Sequence, residues 1–372
     1  MSQIVFIAKY PTGWLKQDGA SIRFLAIDNL YQDFNRIYIE SFNFPIFTFL
    51  YYLCRNFKRK YYKLPVINNK KICSYRFLSK SKTKKIFDDA QVIYIENFTN
   101  LVKLDLGIIK KYGHKMILDF HGCVIEEMEA MNKPLFLLNN MKLYEKVALE
   151  NIKTFVSVTN NMSIYFKNKY PLSKEAKYIE LPIYKDCKVN TNLIEKNSDI
   201  FTVIYSGKNQ VWQNCEMMIK TIKEVLNLGS CKHIKFKIFS PDIDELSNLL
   251  QKHDILNIVS IESLSADELE NEYTKAHFGF VLRDDNTINR VACPTKLIEY
   301  MQYGIIPIVL QPEIGDFNKL GYKYILNEDL INGNIPTLEE QEVMRKINYN
   351  IIEKLNEQVK TSKQDLLDMV SI

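Results

Sequence analysis

The sequence predicts an α/β protein built from two parallel-sheet domains. Its 372 residues are too many for one ordinary core. Short runs rich in Val, Ile, Phe and Tyr alternate with amphipathic helical stretches, the pattern of strands joined by crossover helices. The alternation lapses over the polar, aperiodic segment Lys185–Asp199 and then restarts. These readings place one domain at 1–185 and a second at 200–340. A polar helical tail at 341–372 is long enough to return to the first domain.

In the first domain, strands are expected at Ile4–Ala8, Arg36–Glu40, Val92–Glu96, Lys115–Asp119, Thr154–Ser157 and Tyr178–Leu181. Helices are expected at Ala20–Tyr31, Leu101–Tyr112 and Glu126–Glu150. In the second, the strands are Phe201–Tyr205, Ile234–Phe239, Ile258–Ile261, Phe278–Leu282 and Ile305–Val309. Helices near Cys215–Leu228, Ile243–Lys252, Ala266–Lys275 and from Thr295 lie between them, and the tail pattern starts at Leu338. Such apolar strands suit a sheet covered by helices on both faces. Each domain opens on a strand and a glycine turn, which suggests twin Rossmann-like domains facing across a cleft. Ligands are then expected beyond the carboxyl ends of the strands.

The bulk numbers narrow the function. Hydrophobic residues make up 47% and charged residues 25%, a soluble globular composition rather than a disordered one. A net charge of +5 and the lack of any recognisable module argue against a nucleic-acid partner. Cysteines at 54, 73, 123, 187, 215, 231 and 293 show no CxxC or paired spacing, so they read as reduced thiols of a cytosolic protein. The dispersed histidines offer no metal cluster. "MSQIVFIAKYPTGW" has neither a basic n-region nor a small-residue cleavage site, and is not expected to be a signal peptide. Ser41–Cys54 is too short to span a bilayer and contains Pro45, so no transmembrane helix is expected.

The chemistry gathers in "ACPTKLIEYMQYGIIPIVL", Ala292–Leu310. Pro294 suits the first position of a helix. The free N–H groups of that helix's first turn, with the positive end of its dipole, form a site for phosphate. Thr295 adds a hydroxyl and Lys296 a charge. Glu299 shares their helix face, and a carboxylate there suits the two hydroxyls of a neighbouring sugar. A diphosphate beside a ribose is a nucleoside diphosphate. A capped helix with a surface Lys–Glu pair would carry the same letters.

"PTKLIEYMQYGIIPIV" resembles the donor-binding segment of GT-B glycosyltransferases, especially the retaining family 4. The resemblance extends in order over most of the chain. "DGASIRF", Asp18–Phe24, is similar to the family's glycine-to-arginine helix start. It implies that backbone at Gly19 approaches the donor diphosphate, with Arg23 on the acceptor side. "LDFHGCVIEE", Leu118–Glu127, is similar to the strand and His-Gly segment. "VIYSGKNQVWQNCEMMI", Val203–Ile219, opens the second domain as the family's strand and glycine loop do.

His121, at a strand end before Gly122, is the catalytic candidate, because an imidazole there can exchange protons with a sugar hydroxyl near neutral pH. A turn histidine satisfied by backbone is the plainer reading. Glu126 and Glu127 suit the dipole of the helix they open, and Glu127 is the candidate on the acceptor side. Arg283 ends a strand and suits bidentate phosphate binding, with Arg290 as its competitor. Gly207 and Lys208 complete the donor set. Trp212 can stack on a base or pack internally. Asp242 and Asp244 read as helix caps rather than metal ligands.

Two departures from the family stand out. Val291 occupies the place of a first carboxylate, and the usual Arg-and-Lys pair after the second-domain glycine is incomplete. A further feature is the stretch Arg55–Lys85, with twelve Lys or Arg and no Asp or Glu, behind the aromatic run Phe42–Tyr52. With Lys58, Arg59 and Lys60 it reads as a dock for an anionic membrane surface, or as a solvated basic helix pair.

The expectation is a cytoplasmic enzyme, peripheral on the inner face of the membrane. It moves a sugar from a nucleotide-diphosphate donor to a hydroxyl of a glycan or lipid-linked glycan, of the capsule or O-antigen type, without a cofactor. The resemblance implies retention of anomeric configuration and no metal. The alternatives are a non-catalytic nucleotide-sugar-binding or membrane-associated partner, and a GT-B-fold nucleotide-sugar epimerase.

Overall fold

Every strand pairing among the described residues is parallel, as expected when successive strands are linked by helices or longer segments rather than tight turns. The structure is a computed structural model that describes residues 3–10, 19–40, 72–75, 80–182, 189, 200–227 and 233–371. The chain divides into two units, Met1–Ile183 with Val359–Ile372, and Tyr184–Gln358.

In the first unit the strands are β1 (Gln3–Ile7), β2 (Asn35–Ile39), β3 (Ile72–Tyr75), β4 (Val92–Glu96), β5 (Met116–Phe120), β6 (Thr154–Ser157) and β7 (Lys177–Glu180), in the order β3-β2-β1-β4-β5-β6-β7. In the second they are β8 (Phe201–Ser206), β9 (Ile234–Phe239), β10 (Ser260–Glu262), β11 (Phe278–Val281), β12 (Ile306–Val309) and β13 (Ile325–Leu326), in the order β10-β9-β8-β11-β12-β13. Strand order therefore reverses between β1 and β4, and again between β8 and β11. A parallel sheet of this kind leaves a crevice at the carboxyl ends of such a pair. The core of the second unit clusters on Val203, Ile219, Ile238, Phe280 and Ile308, all on or against that sheet.

The structure differs from the expected elements where local chemistry breaks a pattern. Strand β3 lies inside the basic stretch and β13 has only two residues, so neither stands out as an apolar run. The stretch expected as one helix over Leu101–Tyr112 is two, because Asp105 caps Leu106–Tyr112 by accepting from Gly107 N at 2.8 Å. Likewise Glu126–Glu150 divides into Val124–Ala130 and Leu135–Asn151. Asn132 is left-handed at φ 52, and Pro134, which has no N–H, stands before the second helix.

The terminal helix is continuous from Leu338 to Ser371. Its residues as far as Gln358 group with the second unit, and those from Val359 with the first. There Leu366 is fully buried, Tyr31 donates to its carbonyl at 3.1 Å, and Ser362 donates to Glu180 O at 2.6 Å. Among the described residues no helix is long and apolar enough to cross a membrane. The Phe42–Tyr52 run, the Lys58, Arg59 and Lys60 cluster and nearly all of the linker at 185–199 lie outside the described residues.

Candidate functional site

Beyond the carboxyl ends of β8 and β11, the second unit holds a pocket of about 230 Å³ lined by Gly207, Arg283, Pro294, Thr295, Lys296 and Glu299, among others. Gly207 follows β8 at φ 143, a conformation that L side chains rarely adopt. A Cβ there would also stand 3.0 Å from Lys296 Nζ, so the lysine end would have to give way. The turn after it is fixed by Asp242, whose Oδ2 accepts from Asn209 N at 2.8 Å. Asp242 precedes the helix Ile243–Lys252 as expected, but its side chain makes no cap hydrogen bond. It ties down the glycine turn instead.

Pro294 is the residue before the helix Thr295–Gln302 rather than its first, and its carbonyl accepts from Leu297 N at 3.0 Å. Lys296, in the first turn, is buried at 7% exposure. Its Nζ sits 3.7 Å from the centre of the Tyr205 ring and donates to Gln213 Oε1 at 3.1 Å. Burial, reinforced by the positive charge of Arg283, pulls the Lys296 ammonium well below the ordinary lysine range. The guanidinium of Arg283 is itself buried and donates to Asn289 Oδ1 at 3.1 Å. Two buried cations beside a helix N-terminus are an arrangement that an anion stabilises.

Glu299 is held on the same helix. Burial raises its carboxyl above the usual range, opposed by a hydrogen bond from Tyr273 and by Lys296. Tyr273 donates to Glu299 Oε2 at 3.2 Å and lies 2.6 Å from Ser206 Oγ. Ser206 N in turn donates to the hydroxyl of Tyr300 at 3.0 Å. Tyr300 fits against the sheet because residue 279 is glycine: a Cβ there would meet its Cε2 at 2.3 Å.

The competing basic residues separate clearly. Arg290 is exposed and pairs with Asp285 at 2.7 Å, whereas Arg283 lines the pocket. Lys208 is exposed, and its carbonyl accepts from Tyr205 at 2.7 Å. Trp212 is half-buried in the turn Val211–Gln213. Val291 is buried at 4% exposure, a core residue where the resemblance leads one to expect a carboxylate.

The first unit gathers charge at the ends of β4 and β5. Asp119 is buried and receives Arg23 Nε at 3.0 Å, Arg23 Nη2 at 2.8 Å and the Tyr94 hydroxyl at 2.6 Å. Burial opposes its ionisation, but Arg23 and His121 outweigh that and hold the carboxyl well below the usual range. His121 Nε2 lies 3.2 Å from Asp119 Oδ2, close to the carboxylate but without an aligned hydrogen bond. Arg23 also donates to Leu181 O at 2.7 Å and Pro182 O at 3.0 Å. At 4% exposure it is an internal tie between β5 and the end of the sheet.

Gly19 is the first residue of the helix Gly19–Leu30. Glu127 packs on Gly122, where a Cβ would stand 2.2 Å from its Oε1. Glu126 receives Lys169 at 2.7 Å.

Several polar residues of these clusters were not anticipated. Glu96 ends β4 in register with Asp119, and burial pushes its carboxyl up to about 7. The signal available was a carboxylate closing an otherwise apolar strand, "VIYIE". Ser206, Gln213, Tyr273 and Tyr300 had no such mark, since their roles depend on which strand end meets which helix.

No family model matches the sequence, and no curated protein matches it either. Solved structures are similar in fold. A trehalose-6-phosphate protein from E. coli bound with UDP-2-fluoro glucose aligns at TM-score 0.66 and 10% identity, covering 100% of this chain and 99% of that one. WaaG, a glycosyltransferase involved in lipopolysaccharide biosynthesis, aligns at 0.58 and 12%, covering 99% of each. A sucrose-phosphate synthase from Thermosynechococcus elongatus aligns at 0.59 and 11%, covering 99% and 98%. With two parallel sheets of reversed strand order and a terminal helix, the chain has the GT-B fold, two Rossmann-like α/β domains.

Proposed function

We propose that the protein is a glycosyltransferase that moves a sugar from a nucleoside-diphosphate donor to a hydroxyl acceptor. The observation that carries this reading is the meeting of buried Lys296 and Arg283 with half-buried Glu299 around one pocket at the β8/β11 reversal. The two cations and the first-turn N–H groups suit the diphosphate, and Glu299 suits the ribose. In the transfer, the acceptor oxygen bonds to the anomeric carbon as the bond from that carbon to the diphosphate breaks. The diphosphate departs with the electron pair, and its oxygen takes up the proton that the acceptor hydroxyl gives up. Lys296, Arg283 and the helix N–H groups then meet the charge that develops on the leaving oxygen, in a metal-independent reading. His121 is the candidate to exchange a proton with a sugar hydroxyl.

Retention of configuration, by same-face attack assisted by the departing phosphate, belongs to the same reading. So does a glycan or lipid-linked acceptor reached from an anionic membrane surface. Turnover of a panel of UDP- and GDP-sugars tests the proposal: it requires hydrolysis or transfer with at least one donor, lost in Glu299→Ala and His121→Ala. A second reading is favoured by the buried Val291. It makes the chain a nucleotide-sugar-binding partner, and binding without turnover for every donor would establish it.

A further inference from the structure

We infer that Tyr273 is a positioning residue for the ribose of the bound nucleotide: its hydroxyl, held from behind by Ser206, fixes one oxygen of Glu299 and leaves the other to accept from the ribose diol. This rests on the nucleotide-sugar reading of the pocket. Ser206, Tyr273 and Glu299 all line that pocket, while Tyr273 is 3% and Ser206 6% exposed.

Ser206 N donates to the Tyr300 oxygen at 3.0 Å, so Tyr300 is free to direct its own proton to Ser206 Oγ at 3.4 Å. Ser206 then donates to the Tyr273 oxygen at 2.6 Å, and Tyr273 donates to Glu299 Oε2 at 3.2 Å. An ionised carboxylate only accepts, so with Glu299 charged the relay runs in this one direction. Packing fixes its geometry. The Tyr273 ring meets Tyr300 edge-on at 5.7 Å and Tyr303 at 5.3 Å. One Glu299 oxygen is thereby committed inside the protein, and the carboxylate plane is set before any ligand arrives. The groups that act on Glu299 are the Tyr273 hydroxyl, by its hydrogen bond, and the charges of Lys296 on its own helix and Glu270 on the helix Ala266–Lys275. Tyr273 and Lys296 favour the charged form, whereas Glu270 opposes it.

Calorimetric titration of the full chain with UDP, GDP, ADP and CDP, and with their 2′,3′-dideoxy forms, tests the inference. The parent is expected to prefer the ribonucleotide by about tenfold or more, the size of hydrogen bonds to a charged acceptor. In Tyr273→Phe the preference falls below about threefold, and the acid limb of ribonucleotide binding moves to higher pH. Ser206→Ala shifts both in the same direction by a smaller factor, and it decides the matter if Tyr273→Phe fails to fold. Unchanged discrimination in the folded variants overturns the role of Tyr273. A parent that binds none of these nucleotides overturns the nucleotide-sugar reading and the inference with it.

Discussion

Lys296 Nζ stands 3.7 Å above the Tyr205 ring and 3.1 Å from Gln213 Oε1, so the cation lining the second unit's pocket is held by a π face and a neutral amide. Neither contact repays the full desolvation of an ammonium group. Its proton is therefore loosely held, and the direction of that looseness can be measured. The unfolded chain binds this proton more readily than the folded one, so the folded state is penalised below the ordinary lysine range. Lys296→Met should be more stable than the parent at pH 7, with the gap closing as pH rises toward 10. The same variant should lose about 10- to 100-fold in UDP or GDP affinity. Denaturant unfolding at stepped pH and calorimetry check the two halves, and a gap that does not change with pH would contradict the first.

Glu96 gives the opposite signature in the first unit. Its carboxyl is raised to about 7 in the folded state, so it favours folding below the ordinary carboxyl range, and that contribution is lost as pH climbs through 7. Glu96→Gln, which mimics the protonated form, should match the parent near pH 4.5. By pH 8 it should exceed the parent by up to about 3 kcal/mol. A stability difference that stays flat across this range would show that the group is not held as described.

Arg23 and Asp119 form a buried pair with side chains 3% and 1% exposed. Removing one partner leaves an uncompensated charge inside the sheet. Arg23→Ala should cost about 3–5 kcal/mol, seen as a fall in the thermal midpoint, and Arg23→Leu with Asp119→Leu should recover most of it. If Arg23→Ala melts like the parent, the internal tie is wrong.

Gly279→Ala puts a methyl 2.3 Å from the Tyr300 ring. The ring must shift, at about 1–3 kcal/mol, and its hydroxyl leaves Ser206 N. Weaker nucleotide binding should accompany the lost stability, because the relay to Glu299 begins at that hydroxyl. Nucleotide affinity at the parent level in a destabilised variant would separate the two.

Much of the fold was legible because period and composition fix where strands and helices lie. Ile243–Lys252 and Ala266–Lys275 were expected at the bounds they have. What escaped was short or interrupted. Strand β13 is two residues long, and the break at Asn132–Pro134 is a backbone event in a stretch whose apolar pattern continues. In the pocket, the residues of the Pro294–Glu299 segment announced themselves by type and spacing. Tyr273 did not, since it is one aromatic in the polar helix "ADELENEYTK" and acquires meaning only where that helix meets Ser206. Asp242 illustrates the converse: its position before a helix was readable, but its bond to Asn209 belongs to another strand end.

The assignment of Val359–Ile372 to the same unit as Met1–Ile183 has a consequence for biogenesis. The second unit is one uninterrupted stretch and can close as soon as it has been synthesised. The first unit, though begun earlier, must wait for residues 359–372 before Leu366 and Val370 can cover its apolar flank. The part made first is the part finished last. A chain cut before Val359 would therefore keep every residue of the second unit and leave the first without its closing segment.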